Sequence, residues 1–202
     1  LITFCSAGTF SYWQAYLYIA TIIITMLFNL LYFIKNDPQL LVRRTKIVEK
    51  EKAQLFIQLI FFLFFLSGFL ISGIDKRFGW SHIPSFIVIA ADIIIIFGNI
   101  VVFFVFKQNS YASRIIEVHN NQKVISTGLY SIVRHPMYVG VILMFVPIPV
   151  ALGSYLGLIM MLTLPIGLIL RIIHEEAFLK RELPGYKEYC LKTKYRLLPF
   201  IW

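Results

Sequence analysis

Between Pro136 and Leu170 the chain reads PMYVGVILMFVPIPVALGSYLGLIMMLTLPIGLIL, thirty-five residues without one charge. A bilayer core takes about 20 apolar residues per helix, so this run is too long for one span. Near its middle stand Pro147, Pro149, Gly153 and Ser154, all turn formers. The pattern predicts a helical hairpin whose first arm, about Met137–Pro147, is short for a full crossing.

Working back toward the N-terminus, Ile83–Phe106 is a second apolar run, interrupted only by Asp92. Ala53–Ile74 is uncharged, and so is everything from Leu1 to Ile34, of which Tyr12–Ile34 reads as a span. That first span lacks the basic n-region and small-residue cleavage site of a secretory signal. The expected fold is all-α: a multi-pass transmembrane bundle of five helices, with a C-terminal hairpin and a cytoplasmic C-terminal segment. Residues 1–121 form an expected N-terminal transmembrane region and residues 122–202 a functional region.

Composition agrees. Of the 202 residues 59% are hydrophobic and 14% charged, and mean hydropathy is +0.79. Soluble domains run at about 45–50% apolar and 25% charged, so a soluble globule, a disordered chain and a disulfide-stapled module are excluded. The net charge of +9 could suggest nucleic acid, but the aromatics lie inside the spans and not among the basic residues. The basic residues instead alternate by side. Seventeen of the 19 Lys and Arg fall in the segments after the first span, after the third and after the hairpin. Only Lys76 and Arg77 fall on the other side. The positive-inside rule then puts the N-terminus outside and the C-terminus in the cytoplasm, in a cell inner membrane or, in a eukaryote, the endoplasmic reticulum. Cys5 and Cys190 lie on opposite faces in this topology and cannot pair.

The polar residues that need explaining gather on the cytoplasmic side. Gly128-Leu-Tyr-Ser-Ile-Val-Arg-His-Pro-Met-Tyr-Val-Gly140 leads into the fourth span. Pro136 suits a first helical turn, and the free N–H groups there, beside Arg134 and His135, predict an anion site. Tyr130 and Tyr138 flank it. The alternative is an interfacial Arg-His pair touching lipid headgroups. The fifth span ends Leu170-Arg-Ile-Ile-His-Glu-Glu176. Arg171 and Glu175, four apart, share a face at about 6 Å, while Glu176 points about 100° away. Because the hairpin turns on the outer side, these two ends are expected to meet. Leu183-Pro-Gly-Tyr186 reads as a turn, Lys187–Lys194 as a short helix, and Leu197-Leu-Pro-Phe-Ile-Trp202 as an interfacial anchor or a lid. The histidines (His82, His119, His135, His174) show no metal-ligand spacing. Asp92 and Asn99 form a polar stripe in the third span, facing the bundle or lining a path for a lipid.

Four motifs in order, Gly128-x-Tyr-x-x-x-Arg-His-Pro-Met-Tyr-x-Gly140, Arg171-x-x-x-Glu-Glu-x-x-Leu179, Pro184-Gly-Tyr-x-x-Tyr189 and Arg196-Leu-Leu-Pro-x-Ile-Trp202, resemble the isoprenylcysteine carboxyl methyltransferases. The related membrane phospholipid methyltransferases look similar. The resemblance covers Gln122 to Trp202. It implies an S-adenosyl-L-methionine-dependent methyl transfer, without metal, to a lipophilic or prenylated acceptor at the membrane surface. It implies cofactor contacts from Gln122, Lys123, Val124 and Ile125, from Tyr130, His135, Pro136, Met137 and Tyr138, and from Glu175. Gln122 stands where the family often has His. Arg171 matches the position thought to hold the acceptor, so Arg171 and Glu175 are the catalytic pair it implies, with Arg134 and Glu176 supporting. Other acceptors, such as a phospholipid amine, stay open. So do an NADPH-dependent reductase of the sterol type, which carries a similar Arg-His-Pro…Tyr pattern, and a non-catalytic membrane module.

Overall fold

The computed structural model describes residues 1–44, 52–111 and 122–202, and within these every regular element is a helix. Lys46, Lys50, Arg114 and His119, which enter the charge and histidine patterns above, lie outside the described residues.

A short helix α1 (Ile2–Ala7) precedes α2 (Trp13–Asn36). The first long helix stops at Asp37 because Pro38 disfavours helical backbone in the residue before it. The Asp37 carboxylate then accepts the N–H of Leu40 (3.1 Å) and starts α3 (Pro38–Arg44). Next come α4 (Lys52–Phe78), with its charges confined to its two ends, and α5 (Ser85–Gln108), preceded by Pro84. After α6 (Leu129–Ile132) the long uncharged run divides into α7 (Pro136–Phe145), α8 (Ile148–Ala151), α9 (Tyr155–Met161) and α10 (Thr163–Glu182). The last helix is α11 (Tyr186–Lys192).

Among the described residues three stretches are long and apolar enough to cross a bilayer: Trp13–Asn36, Ser85–Gln108 and Tyr155–Glu182. Pro136–Ala151 is shorter, in line with the short first arm expected. The hairpin turns where its turn formers stand. Gly153 takes φ +79°, a left-handed backbone that glycine adopts without a Cβ clash. Ser154 caps the return helix, its Oγ accepting the Gly157 N–H at 2.9 Å. The N-terminal helix α1, which the sequence pattern did not suggest, lies against α4.

Packing is closest between α5 and α7. A Cβ built on Gly98 would stand 2.9 Å from the Gly140 carbonyl oxygen and 2.8 Å from the Met144 nitrogen. One on Gly140 would stand 2.6 Å from Val102 Cγ2. Small residues let helix backbones touch where lipid supplies no hydrophobic drive for association. Gly98→Leu is therefore expected to cost at least the roughly 1–3 kcal/mol of an overpacked core. It should show as a lowered thermal midpoint and a loss of monodisperse protein in detergent, whereas Ile93→Leu on the exposed side should show neither.

At the hairpin turn, α4 and α9 are fastened around Asp75, which the sequence pattern did not single out. Asp75, 1% exposed, accepts from the Ser81 N–H (2.7 Å), the Ser81 hydroxyl (2.6 Å) and the Ser154 hydroxyl (2.5 Å). Tyr12 donates to the Leu152 carbonyl at 2.5 Å. At the other end, Arg43 donates to the Ser110 carbonyl at 2.7 Å and Arg44 lies over the Phe106 ring. Met137 packs on Phe33, Leu40 and Phe106. The basic helix ends therefore gather on one face, here called the basic face, opposite the hairpin turn. Asp92 and Asn99 are buried toward the bundle, at 3% and 5% exposure, with the Asn99 amide donating to Ile95 of its own helix.

Candidate active site

The basic face holds a pocket between α6, the start of α7, the end of α10 and α11. Its walls include Gln122, Lys123, Val124, Ile125, Tyr130, His135, Pro136, Met137, Tyr138 and Glu175. The ten residues expected around a cofactor thus line one cavity. Asn109, Tyr111, Arg134, Leu179, Leu183, Tyr186 and Tyr189 complete it. Of these, Asn109 was invisible to motif reading: it is a C-cap residue of α5, brought in because its amide donates to the Tyr130 hydroxyl at 2.9 Å.

Proline at the first position of α7 fixes how the helix starts. His135, just before it, is 5% exposed and stacks on Tyr138, with ring centroids 5.7 Å apart. Its Nε2 lies 3.3 Å from Glu176 Oε1 and its Nδ1 lies 4.0 Å from Glu175 Oε1. The imidazole therefore spans the two adjacent carboxylates.

Those carboxylates do different work. Glu175 accepts the Tyr138 hydroxyl at 2.5 Å, and that hydroxyl in turn accepts Arg171 Nε at 2.9 Å. Arg171 and Glu175 share a helix face as expected, and Tyr138 bridges them from α7. Glu176 is 2% exposed and is met by Arg134 Nε at 2.6 Å, Arg196 Nε at 3.1 Å and Lys180 Nζ at 3.4 Å. It ties together the start of α7, α10 and the C-terminal tail.

This corrects the expected anion site at Arg134. The guanidinium turns inward to Glu176 and to the carbonyls of Thr193 (3.1 Å) and Lys194 (3.3 Å). The N–H groups of Arg134 and His135 go to the carbonyls of Tyr195 and Arg196, both at 2.9 Å. A buried carboxylate and a strip of backbone acceptors outcompete a ligand for these donors.

Burial controls the tyrosines. It pushes the Tyr130 phenol up to about 12; the Asn109 hydrogen bond works the other way, and the Glu175 charge adds a further rise. Tyr186 and Tyr189 are also raised, chiefly by burial. All three phenols stay neutral through the physiological range, so they are donors. Tyr189 spends its proton on the Tyr130 carbonyl at 2.7 Å. The Tyr186 hydroxyl is buried with no hydrogen-bond partner among the described residues, and it is in the pocket wall.

Residues 86–184 match the family model described as phospholipid methyltransferase. This stretch, 99 of the 202 residues, is similar to the phospholipid methyltransferase family. No curated protein matches the chain. The matched stretch runs from α5 to the turn before α11 and includes every expected cofactor and acceptor residue, while α11 and the tail follow it. The match suggests a membrane methyltransferase, in keeping with three helices among the described residues that are fit to span a bilayer.

Proposed function

We propose that the protein transfers a methyl group from S-adenosyl-L-methionine, held in the tyrosine-lined pocket, to a lipophilic acceptor held by Arg171. In this it would work like an isoprenylcysteine carboxyl methyltransferase. The observation that carries the proposal is the hydrogen-bonded line Arg171–Tyr138–Glu175. It joins the residue implied for the acceptor to one implied for the cofactor through a single hydroxyl.

The pocket suits the cofactor in its chemistry. Glu175 offers an anion to a cationic amine or sulfonium, aromatic faces from Tyr130 and Tyr138 suit a planar ring, and the orphaned Tyr186 hydroxyl lacks only a partner. Gln122 to Ile125 would supply a further part of its wall. The bound cofactor supplies an electrophilic methyl group on sulfur. The protein's task is then to orient two reactants, a contribution that can reach roughly 7–11 kcal/mol. A carboxylate acceptor is already ionised, and the Arg171 fork can hold it without any base.

A phospholipid amine is the second reading, favoured by the description of the matching family. An amine must lose a proton. With Glu176 engaged by Arg134, Arg196 and Lys180, Glu175 is the carboxylate left to accept it. The five-helix topology, with the N-terminus outside and the basic face in the cytoplasm, belongs to the same proposal. So does the division at residue 121.

Calorimetric titration of the detergent-purified protein with S-adenosylhomocysteine, and in parallel with NADPH, tests it. Saturable binding of S-adenosylhomocysteine alone is expected. Binding of NADPH alone would move the protein to the reductases, and binding of neither would make it a non-catalytic module. Base-labile release of transferred methyl from a lipid extract then separates an ester from a methylated amine.

A further inference from the structure

We infer that the tail Leu197–Trp202 is a membrane-docking loop whose apolar tip sits in the lipid leaflet of the basic face. Nothing in this inference depends on the reaction, and the tail lies beyond the stretch that matches the methyltransferase family.

The root of the loop is at membrane depth. Leu197, 5% exposed, packs with Tyr138, Leu168 and Ile172, and Trp202 rests on the same cluster with Val141, Ile142 and Leu164. These partners belong to the apolar parts of α7 and α10. At 1.5 Å per residue, Leu168 and Leu164 lie about 4 and 10 Å deeper along α10 than Arg171. The chain has thus left the polar α11 and returned to the seam between two apolar helices.

The tip points away from the protein. Phe200 is 88% exposed and Ile201 78%, with Leu198 about half exposed beside them. Phe200 takes φ +66°, a left-handed backbone that carries strain in any residue with a side chain, and its ring touches the protein at Tyr195, 5.3 Å between centroids. Three large apolar groups clustered in water would gain nothing from this arrangement. The same groups in lipid are at home.

The backbone is prepared for a dry setting. The N–H groups of Arg196, Leu197 and Leu198 all reach the main-chain oxygen of Trp202 (2.8, 3.0 and 3.3 Å). Those of Ile201 and Trp202 reach the Leu198 carbonyl (3.2 and 3.1 Å), and Pro199 has no N–H. Non-helical backbone exposed to lipid must satisfy its donors internally, and this loop does so for five of them. At its edge Arg196 stacks over the Trp202 ring at 5.0 Å while bonding Glu176, a side chain with an apolar stem and a satisfied head. Lys187, Lys192 and Lys194 flank the loop from α11 onward, positioned for anionic headgroups.

The test places a nitroxide on Ile201→Cys in the full chain carrying Cys5→Ser and Cys190→Ser. The protein is reconstituted in nanodiscs of phosphatidylcholine and phosphatidylglycerol, and a label on Lys187→Cys serves as the aqueous control. Collision with oxygen is expected to exceed collision with a water-soluble nickel chelate several-fold at residue 201, with the reverse at residue 187. Leu198→Cys should repeat the residue 201 result, so one poorly folded variant does not decide the matter. Dominant collision with the chelate at 201 and 198 would overturn the inference. So would weak collision with both reagents, which would mean that a second copy or the pocket itself covers the tip.

Discussion

Glu176→Ala is expected to lose most of its folded protein on purification in detergent, a larger effect than any other single substitution in the pocket region. The carboxylate is 2% exposed and compensates Arg134, itself 8% exposed, and Arg196. Removing one partner from a buried ion pair costs about 3–5 kcal/mol, because the remaining charge is left uncompensated out of water. Here two guanidinium groups would face each other across the vacated space. Membrane domains, like other folds, hold only a modest margin, and this side chain is the charged link between the tail and α10. Glu176→Gln keeps the shape and some acceptor capacity, so it should fold with a lowered thermal midpoint. Arg196→Ala removes a partner that is one-third exposed and should lower it less. A wild-type midpoint for Glu176→Ala would show that the tail is held by its apolar contacts alone.

Glu175→Ala and Arg171→Ala should separate two functions that one hydroxyl connects. Loss of a charge-assisted hydrogen bond costs about 1.5–3 kcal/mol, so Glu175→Ala is expected to weaken S-adenosylhomocysteine binding by roughly 10- to 150-fold. Arg171→Ala should leave that affinity within about twofold while turnover falls by at least as large a factor. Tyr138→Phe keeps the ring but loses the bridge between them, so it should lower both quantities. Calorimetry and single-turnover assays on the same preparations give both readouts. Unchanged affinity in Glu175→Ala would overturn this division of roles.

The helices were legible because charge marks their ends. Lys35 and Lys107 close α2 and α5, and Pro84 opens the latter within two residues of the expected position. The turn at Gly153 and Ser154 was equally plain, since a positive φ and a capping hydroxyl are properties of single residues. The pocket was legible through its motifs. What the chain did not disclose is how polar groups choose among partners far apart in sequence. Glu175 and Glu176 are the same residue type a hundred degrees apart on one helix. Which of them meets Tyr138 and which meets Arg134 depends on how α7 lies against α10. Arg196 is twenty residues beyond Glu176, and nothing local in either stretch announces their contact. Asp75 drew no notice in the sequence because the two serines that hold it come from different segments.

The fastening at Asp75 also has a mechanical meaning. With Ser81, Ser154 and Tyr12 all anchored at the hairpin turn, and with Arg134 and Tyr138 bonded to the two α10 carboxylates at the pocket, α7 and α10 are held like the two rails of a ladder, cross-braced at both ends.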